Sequence, residues 1–345
     1  MSRLESDNFF SSPQPFSNLE AEVRPKKSLQ ASSGGFDASQ IQIAEAAFFS
    51  DENSIPDYLS NAKVLFSNRE YRLASHLLMA ALRVDSYHQE ATELLGDCFY
   101  HLENWSHAER IYEIAYEAWS HVQTGSRLAE CYSRNQKIDK ALELYQSLIP
   151  QLDDSPDLFE IYKNLGNIFL KMGDVDAAEE NYNKAFSIDP LSDVLLVNYG
   201  TLEIQKGLMD SALQRYRDAV KINNNNAKAW VGLALIHRHL ADFELAWANL
   251  FQALDLESSN QVALQLCAEW GVKEGRVAEA IGRLKKHLEF DDQDAEISLV
   301  LAKLLYISGE VHASEIEATR ALSLNPKLEG APEFLKMLQG PVDHA

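Results

Sequence analysis

Apolar and polar residues follow a helical period along most of this chain. In the stretch YKNLGNIFL, apolar residues fall at Leu165, Ile168 and Phe169, which share one face of a helix. A lysine and two asparagines lie between them, although an asparagine side chain competes for nearby backbone groups and weakens a helix. The pattern predicts an amphipathic helix whose polar residues need a separate explanation.

The same pattern recurs at an interval of about 34 residues over most of the sequence. Each copy has a small residue followed, twelve residues later, by a second one. The first small residue falls at Ala62, Gly96, Ala129, Gly166, Gly200, Ala234, Ala268 and Ala302. The second falls at Ala74, Ala108, Ala141, Ala178, Ala212, Ala246, Ala280 and Ser314. Eight copies in register indicate a repeat protein rather than a chance similarity.

This frame resembles the tetratricopeptide repeat (TPR) family, whose pattern is W-x2-L-G-x2-Y, then A-x3-F-x2-A, then P. Repeat four shows most of it, in Tyr162, Leu165, Gly166, Phe169, Ala178, Tyr182, Ala185 and Pro190. The resemblance implies an all-α fold, a TPR α-solenoid that winds antiparallel helix pairs into a right-handed superhelix. The first-helix aromatic is missing at Glu203, His237 and Gly271, and His287 replaces the last alanine of repeat seven.

The repeats divide the chain into a solenoid and two ends. The solenoid is predicted over residues 55–326, a capping helix over 327–340 and a short tail over 341–345. Residues 1–38 are rich in Ser, Pro, Asn and Gln and are expected to be disordered, and residues 39–54 are assigned to an amino-terminal helix or linker. Phe9, Phe10 and Phe16 are either incidental to this tail or a linear motif for a partner or for the protein's own groove.

Charge and cysteine content restrict the function. The chain has 52 acidic and 31 basic residues, a formal net charge of −21, which argues against a nucleic-acid or anionic-membrane surface. Cys98, Cys131 and Cys267 lack metal-ligand or redox spacing and fit a reducing compartment. Neither a signal peptide nor a membrane span is apparent, so a cytoplasmic location without membrane insertion is expected.

Motifs for catalysis are not found in this sequence. The phosphate-binding loop, zinc-protease, nucleophile-elbow and EF-hand patterns are all missing. His237 and His239 are two residues apart on a predicted helix and point in different directions. The acidic run EFDDQD (289–294) is interpreted as a solvated turn. We therefore expect a non-catalytic protein that needs no cofactor and holds no metal.

The TPR resemblance also implies which residues line the inner groove of the solenoid. With the first small residue of a repeat as its eighth position, the groove positions are the second, fifth, sixth, ninth, twelfth and thirteenth. In repeats three to six they hold six basic residues and two acidic ones, Glu130 and Glu160, whereas repeat two holds Glu90, Glu93 and Asp97. This count predicts a positive wall that attracts an extended, acidic or C-terminal peptide. The predicted peptide-binding residues are Arg127, Arg134, Lys163, Asn164, Asn167, Lys171, Asn198, Lys228 and Arg238.

A narrower resemblance is to the carboxylate-clamp TPR proteins, which hold the acidic C-terminal tails of heat-shock chaperones. Lys163, Asn167, Asn198 and Lys228 match four of the five clamp residues, and Gly232 occupies the place of the fifth, an arginine. A general extended-peptide site and a polar groove without a specific ligand remain the alternatives.

The predicted function is that of a protein–protein interaction scaffold or adaptor, which binds an extended segment of a partner or its own amino-terminal tail. Two alternatives stay open. The chain is a structural subunit that assembles through its convex or end surfaces, or it is a secretion or assembly chaperone.

Overall fold

The computed structural model describes residues 54–152 and 155–339, and all regular structure in these two ranges is helical. Both predicted tails, 1–38 and 341–345, and nearly all of the 39–54 segment lie outside the described residues. The α-helices are α1 Ile55–Ser67, α2 Tyr71–Val84, α3 Gln89–His101, α4 Trp105–Trp119, α5 Val122–Arg134, α6 Ile138–Leu148, α7 Leu158–Met172, α8 Val175–Ile188, α9 Asp193–Gln205, α10 Met209–Ile222, α11 Ala227–His239, α12 Phe243–Leu256, α13 Gln261–Glu274, α14 Val277–Leu288, α15 Ala295–Ile307, α16 Val311–Leu324 and α17 Ala331–Gln339. The one 3₁₀ turn among the described residues is Ile149–Gln151, which follows α6.

The helices pack in consecutive pairs, as the repeat predicts, and the all-α TPR solenoid fold is confirmed. The chain forms two compact units, residues 1–168 and 169–345, and the boundary falls within α7. Unit 1 contains the pairs α1–α2, α3–α4 and α5–α6. Unit 2 contains α9–α10, α11–α12, α13–α14 and α15–α16, and α17 packs on α16 through a small core of Leu299, Ala321 and Ala331.

The recurring spacing of small residues has a direct packing role in unit 2. The ring of Tyr216 on α10 lies against the backbone of both Gly200 and Gly232, so a Cβ on either glycine would overlap it. A Cβ built on Gly200 would lie 2.8 Å from that ring, and one built on Gly232 would lie 2.3 Å from it. Close-packed interiors leave no room for such an overlap. The helices can therefore approach Tyr216 only because neither position carries a side chain.

The turns inside the helix pairs have one backbone conformation in all eight repeats. At the equivalent turn position φ is positive, and four repeats place glycine there: Gly173, Gly207, Gly275 and Gly309. The other four use Arg69, Glu103, Gln136 and Ala241, with φ between 55° and 64°. For residues with a Cβ this left-handed region costs roughly 1–2 kcal/mol. The turn geometry is thus fixed by the packing of the pair, since it forms with or without glycine.

Ala241→Gly is expected to raise the free energy of unfolding by about 0.5–1 kcal/mol, because glycine adopts a φ of 59° without strain. Urea unfolding followed by circular dichroism measures the change. Ala248→Gly is the matched control: Ala248 is exposed within α12, where the same substitution should lower the free energy of unfolding by about 1 kcal/mol. Destabilisation by both substitutions would contradict the strain argument.

The repeats that lack the first-helix aromatic are packed by other means. Glu203 is buried and accepts a hydrogen bond from Arg215 Nε at 3.2 Å. His237 is buried as well, and burial lowers its pKa. A Cβ on Gly271 would lie 2.8 Å from the Cβ of Ala280, so this glycine allows α13 and α14 to approach closely.

The three cysteines are free and buried. Burial raises the pKa of each thiol to about 12, in Cys98, Cys131 and Cys267 alike. At neutral pH the thiolate, which is the reactive and metal-binding form, is therefore suppressed.

Candidate functional site: the faces of the first helices

The first helix of each repeat leaves one stripe of residues open to solvent. On α9 the stripe is Val194, Asn198, Thr201 and Gln205, whose spacing of four, three and four residues defines a single helix face. On α15 it is Glu296, Val300, Lys303 and Ile307. All eight residues occupy groove positions. Within unit 2, α9 contacts α11 and α13 contacts α15, so the stripes of these first helices lie side by side.

In unit 1 the first helices α3, α5 and α7 line a cavity of about 310 Å³. Eight of its eleven lining residues occupy groove positions, which agrees with the register taken from the repeat. The lining residues are Tyr100, His101, Val122, Gln123, Ser126, Arg127, Glu130, Asp157, Glu160, Ile161 and Asn164. The structure therefore brings two of the predicted peptide-binding residues, Arg127 and Asn164, into one site.

Arg127 is held by groups of the preceding repeat. Its Nη1 lies 2.8 Å from Oδ1 of Asp97, and its guanidinium stands 5.4 Å from the centre of the Tyr100 ring. Asp97 also accepts a hydrogen bond of 2.6 Å from the hydroxyl of Tyr112. Burial raises the pKa of Asp97, although Arg127 and Tyr112 both favour its ionised form. The positive charge of Arg127 is thus largely balanced within the protein.

Arg134 is paired in a similar way. Its Nη2 donates to Glu130 at 3.4 Å, and its guanidinium lies 5.1 Å from the Trp105 ring. Glu130 also accepts a hydrogen bond of 2.7 Å from the hydroxyl of Tyr100. One carboxylate therefore connects an arginine and a tyrosine of two neighbouring first helices.

The polar residues of α7 have distinct roles. Lys163 donates to Glu160 and lies 5.7 Å from the ring of Phe159. Asn164 Nδ2 donates to the hydroxyl of Tyr145 at 3.0 Å, and Tyr145 is completely buried. Asn167 is half-buried. The helix-propensity cost of Asn164 is offset by this hydrogen bond, because an unpaired buried hydroxyl is unfavourable.

The predicted positive wall is not found in unit 1. Each of the four cations at its groove positions has a carboxylate partner; the pairs are Lys63–Glu90, Arg127–Asp97, Arg134–Glu130 and Lys163–Glu160. Glu93 and Asp157 add two further carboxylates, so this wall is net negative. The count from repeats three to six included Glu130 and Glu160 but left out repeat two, whose Asp97 pairs with Arg127 of repeat three.

The predicted residues of unit 2 differ in their surroundings. Lys171 and Lys228 are exposed, and Asn198 is half-buried. Arg238 instead belongs to a packed group: it donates to Glu274 and stacks 4.4 Å from the centre of the Trp270 ring. Arg238 thus serves the packing of α11 against α13.

The fifth clamp position is closed by packing. Because the ring of Tyr216 occupies the space in which a Cβ of Gly232 would lie, this position cannot carry an arginine without displacement of the tyrosine. Lys163 and Asn167 fall in unit 1, whereas Asn198 and Lys228 fall in unit 2.

Sequence reasoning missed the apolar residues at the groove positions of unit 2. Six large apolar side chains there are between 38% and 55% exposed: Val194, Leu235, Val262, Val272, Tyr306 and Ile307. The repeat register assigns these positions to the groove, but the peptide-binding residues predicted from it are all charged or amide residues.

Within the described ranges, one group of side chains has metal-ligand chemistry. Ligand atoms of His287, Asp291 and Asp294 lie within 4.8 Å of one another. Asp294 already caps α15 by accepting from the backbone N–H of Ile297 at 2.9 Å, and its other oxygen lies 3.0 Å from His287 Nε2. Burial disfavours the ionised Asp294, but these hydrogen bonds outweigh burial and lower its pKa. Helix capping accounts for this arrangement.

Two family models match the chain. The model described as the cilia and flagella-associated protein 70 C-terminal domain matches residues 110–334, and a tetratricopeptide repeat model matches residues 59–122. Together they cover residues 59–334.

Several curated proteins are similar at low identity. Human protein O-mannosyl-transferase TMTC3 is 24% identical over 297 residues, which are 80% of this chain and 32% of TMTC3. The Drosophila melanogaster homologue of the BBSome complex member BBS4 is 26% identical over 225 residues, 65% of this chain and 46% of that protein. The Arabidopsis thaliana CTR9 homologue is 27% identical over 161 residues, 45% of this chain and 15% of that protein. The chain thus spans less than half the length of each of them.

Solved structures of the same fold include human IFIT1. A monomeric mutant of IFIT1 with Gppp-AAAA superposes with a TM-score of 0.55 at 16% identity, covering 83% of this chain and 75% of IFIT1. The human IFIT1 dimer with PPP-AAAA gives 0.54, also at 16% identity, and covers 79% of this chain and 73% of that one. At this identity the similarity concerns the fold alone. Of the helices in the described ranges, none has the length and apolarity to cross a membrane.

Proposed function

Because this chain belongs to the family of the cilia and flagella-associated protein 70 C-terminal domain, a TPR family, we propose that it is a non-catalytic scaffold that binds an extended segment of a partner protein along its first helices. The TPR fold supports a protein-interaction scaffold in general. BBS4, one of its relatives, is by name a member of a complex.

The cavity of unit 1 carries this proposal. It is bordered by three successive first helices and offers side-chain amides, hydroxyls and carboxylates together. The amide of Gln123 donates to Asp157 Oδ2 at 3.4 Å and keeps a second N–H and its oxygen for a peptide backbone. A peptide that passes through this cavity in an extended form would meet such groups on successive helices.

The charge of the cavity indicates which side chain it accepts. Asp157 is exposed at its rim and has no cationic partner among the described residues, whereas Glu160 and Glu130 pair with Lys163 and Arg134. Arg127 is likewise paired with Asp97. A lysine or arginine of the bound segment would find carboxylate partners there, whereas an acidic residue would be repelled. In unit 1 we therefore propose a segment with a basic residue in place of the acidic peptide that the sequence suggested.

An acidic segment fits unit 2 better, where Lys171 and Lys228 are exposed. Asn198 occupies a groove position of the repeat between theirs. The heat-shock chaperone clamp is not proposed, since Tyr216 closes the arginine position at Gly232. A ligand such as the Gppp-AAAA named with the IFIT1 structure is not proposed for this chain of net charge −21.

Catalysis is not part of the proposal, although TMTC3 is a transferase by name. The similarity to TMTC3 is 24% identity over 32% of its length, and the groove of this chain is explained by packing and ion pairs without a nucleophile. We also propose that the protein resides in a reducing compartment such as the cytoplasm, because all three cysteines are free.

The test is capture of partners from a lysate by two matched charge-reversal variants, read by mass spectrometry. Asp157→Lys with Glu160→Lys reverses the cavity rim. Asp139→Lys with Glu143→Lys makes the same change on α6, a second helix of the same unit, where both carboxylates are exposed. Partners that use the cavity should be lost at least about tenfold from the first variant and retained by the second.

The opposite pattern would support the alternative of a structural subunit. Glu143 borders a second hollow, lined by α4, α5 and α6 and about 370 Å³ in volume. If the α6 variant loses the partners and the cavity variant keeps them, the binding surface lies on the second helices and the proposal is wrong. Circular dichroism of both variants confirms that the helices are intact.

A further inference from the structure

The groove positions of the two units differ in apolarity. In unit 2 they include Val194, Leu235, Val262, Val272, Tyr306 and Ile307, each more than a third exposed. Among the described residues of unit 1, the exposed large apolar side chains all lie at other positions of the repeat; they are Val64, Leu73, Val84, Tyr87 and Leu102. Unit 2 therefore exposes apolar side chains along its first helices where unit 1 exposes ion pairs. Such clustering usually marks an interaction surface.

The charges beside these apolar residues are mainly positive. Of the cations at the groove positions of unit 2, Arg238 pairs with Glu274 and Lys273 with Glu269. The other three, Lys171, Lys228 and Lys303, are exposed, and the one further carboxylate at these positions is Glu296. The surface that results is apolar with a positive border, and it is complementary to an apolar and acidic segment.

The chain itself contains a segment of this composition. Between Leu4 and Glu22 the sequence LESDNFFSSPQPFSNLEAE has five large apolar residues, four acidic residues and no lysine or arginine. The next basic cluster, RPKK at 24–27, lies outside this segment.

From this complementarity we infer that the segment Leu4–Glu22 binds the groove face of unit 2 and competes there with partner segments. The inference rests on the proposed function, because it takes the first helices as a segment-binding surface. Phe9, Phe10 and Phe16 would contact the exposed apolar residues, and the four carboxylates would lie near the three lysines. Phenylalanine supplies a large apolar area for such contacts.

The covalent connection makes even weak binding effective. Residues 23–53 can span about 100 Å when extended, so they place no tight limit on where the segment binds. A tether of this length gives an effective concentration of about 1 mM. A free peptide with a Kd of about 100 µM would then be bound about ten times as often as unbound when tethered. The tail would thus reduce the apparent affinity for a partner by about the same factor.

The test is the binding of a fluorescein-labelled peptide, residues 4–22, to the full-length protein, measured by fluorescence anisotropy. A tail variant, Phe9→Ala with Phe10→Ala and Phe16→Ala, removes the competing side chains. It should bind the peptide at least about tenfold more tightly than the wild type. A scrambled peptide of the same composition serves as the specificity control.

Two additions to the tail variant locate the binding surface. Val262→Glu with Ile307→Glu places charge among the apolar groove residues and should weaken binding at least about tenfold. Val311→Glu with Ile316→Glu makes the same change on α16, at side chains that are equally exposed but outside the groove positions, and should leave binding unchanged.

Three results would overturn the inference. They are equal affinity of the wild type and the tail variant, no binding to either of them, and equal effects of the groove and α16 substitutions. Each would leave the proposed function intact, because partner capture by the unit 1 cavity is measured with different variants. If instead the cavity and α6 variants captured partners equally while the peptide still bound unit 2, the proposed function would be wrong and the inference would stand.

Discussion

Replacement of Gly232 by alanine is expected to lower the free energy of unfolding by about 1–3 kcal/mol. The added Cβ would lie 2.3 Å from the ring of Tyr216, which is itself buried against α9 and α11 and has little space to move. The ring also contacts Gly200, so a shift away from one helix brings it closer to the other. Urea unfolding followed by far-ultraviolet circular dichroism measures the loss.

The matched control is Gly282→Ala on α14. A Cβ at this position meets nothing within 4 Å, so the substitution should raise the free energy of unfolding by roughly 0.5–1 kcal/mol through helix propensity. Stabilisation by Gly232→Ala as well would show that Tyr216 is loosely packed. In that case the fifth clamp position would be open to an arginine and the exclusion of the chaperone clamp would be wrong.

Asn164→Ala is expected to lower the free energy of unfolding by about 1–3 kcal/mol, a large effect for a half-buried polar residue. Its amide donates to the hydroxyl of Tyr145, which is fully buried between helices. Removal of the amide leaves that hydroxyl without its partner in an apolar environment. The same burial raises the pKa of Tyr145 well above its ordinary value, so ionisation cannot relieve the cost.

A double-mutant cycle separates this structural role from ligand binding. In Asn164→Ala with Tyr145→Phe both partners of the hydrogen bond are replaced, and the double variant should be more stable than Asn164→Ala alone. Additive effects of the two substitutions would contradict the role of the hydrogen bond. Asn164 would then be a residue whose amide is available for a peptide.

The repeat register made the fold predictable from sequence. The small residues at Gly96, Gly166 and Gly200 are each followed, sixteen positions later, by a buried tyrosine, and each copy satisfies the same packing. The turns show that this packing determines the backbone conformation, since Ala241 adopts the positive φ that Gly207 adopts in the preceding repeat. Local sequence preference is overridden there by the contacts of the pair.

The side-chain partners of the groove could not be predicted in the same way. The register places Arg127 on the inner face but does not reveal that Asp97 of the previous repeat lies 2.8 Å away. Nor does it reveal that Asn164 reaches a buried hydroxyl or that Tyr216 fills the space above Gly232. These contacts join residues about 16 to 30 positions apart, and a count of charges within single repeats omits them.

The apolar residues of unit 2 were also present in the register, at Val262 and Ile307 for example. Whether these residues belong to the core or to the surface depends on their exposure, which the sequence does not give. Apolar residues on a first helix are usually assigned to the core. With the structure, the two units present different chemistry on the same repeat framework: paired charges in unit 1 and apolar residues with free-standing lysines in unit 2.

Site-specific photo-crosslinking tests most directly whether segments bind along the first helices. A photoreactive amino acid is placed at Gln123, which is exposed at the cavity of unit 1, and in a second protein at Gln146, which is exposed on α6. Each protein is irradiated with the partners that the capture experiment identifies, and the linked peptides are sequenced by mass spectrometry. The account predicts crosslinks to one continuous partner segment from Gln123 and none from Gln146. Crosslinks from Gln146 without any from Gln123 would contradict it.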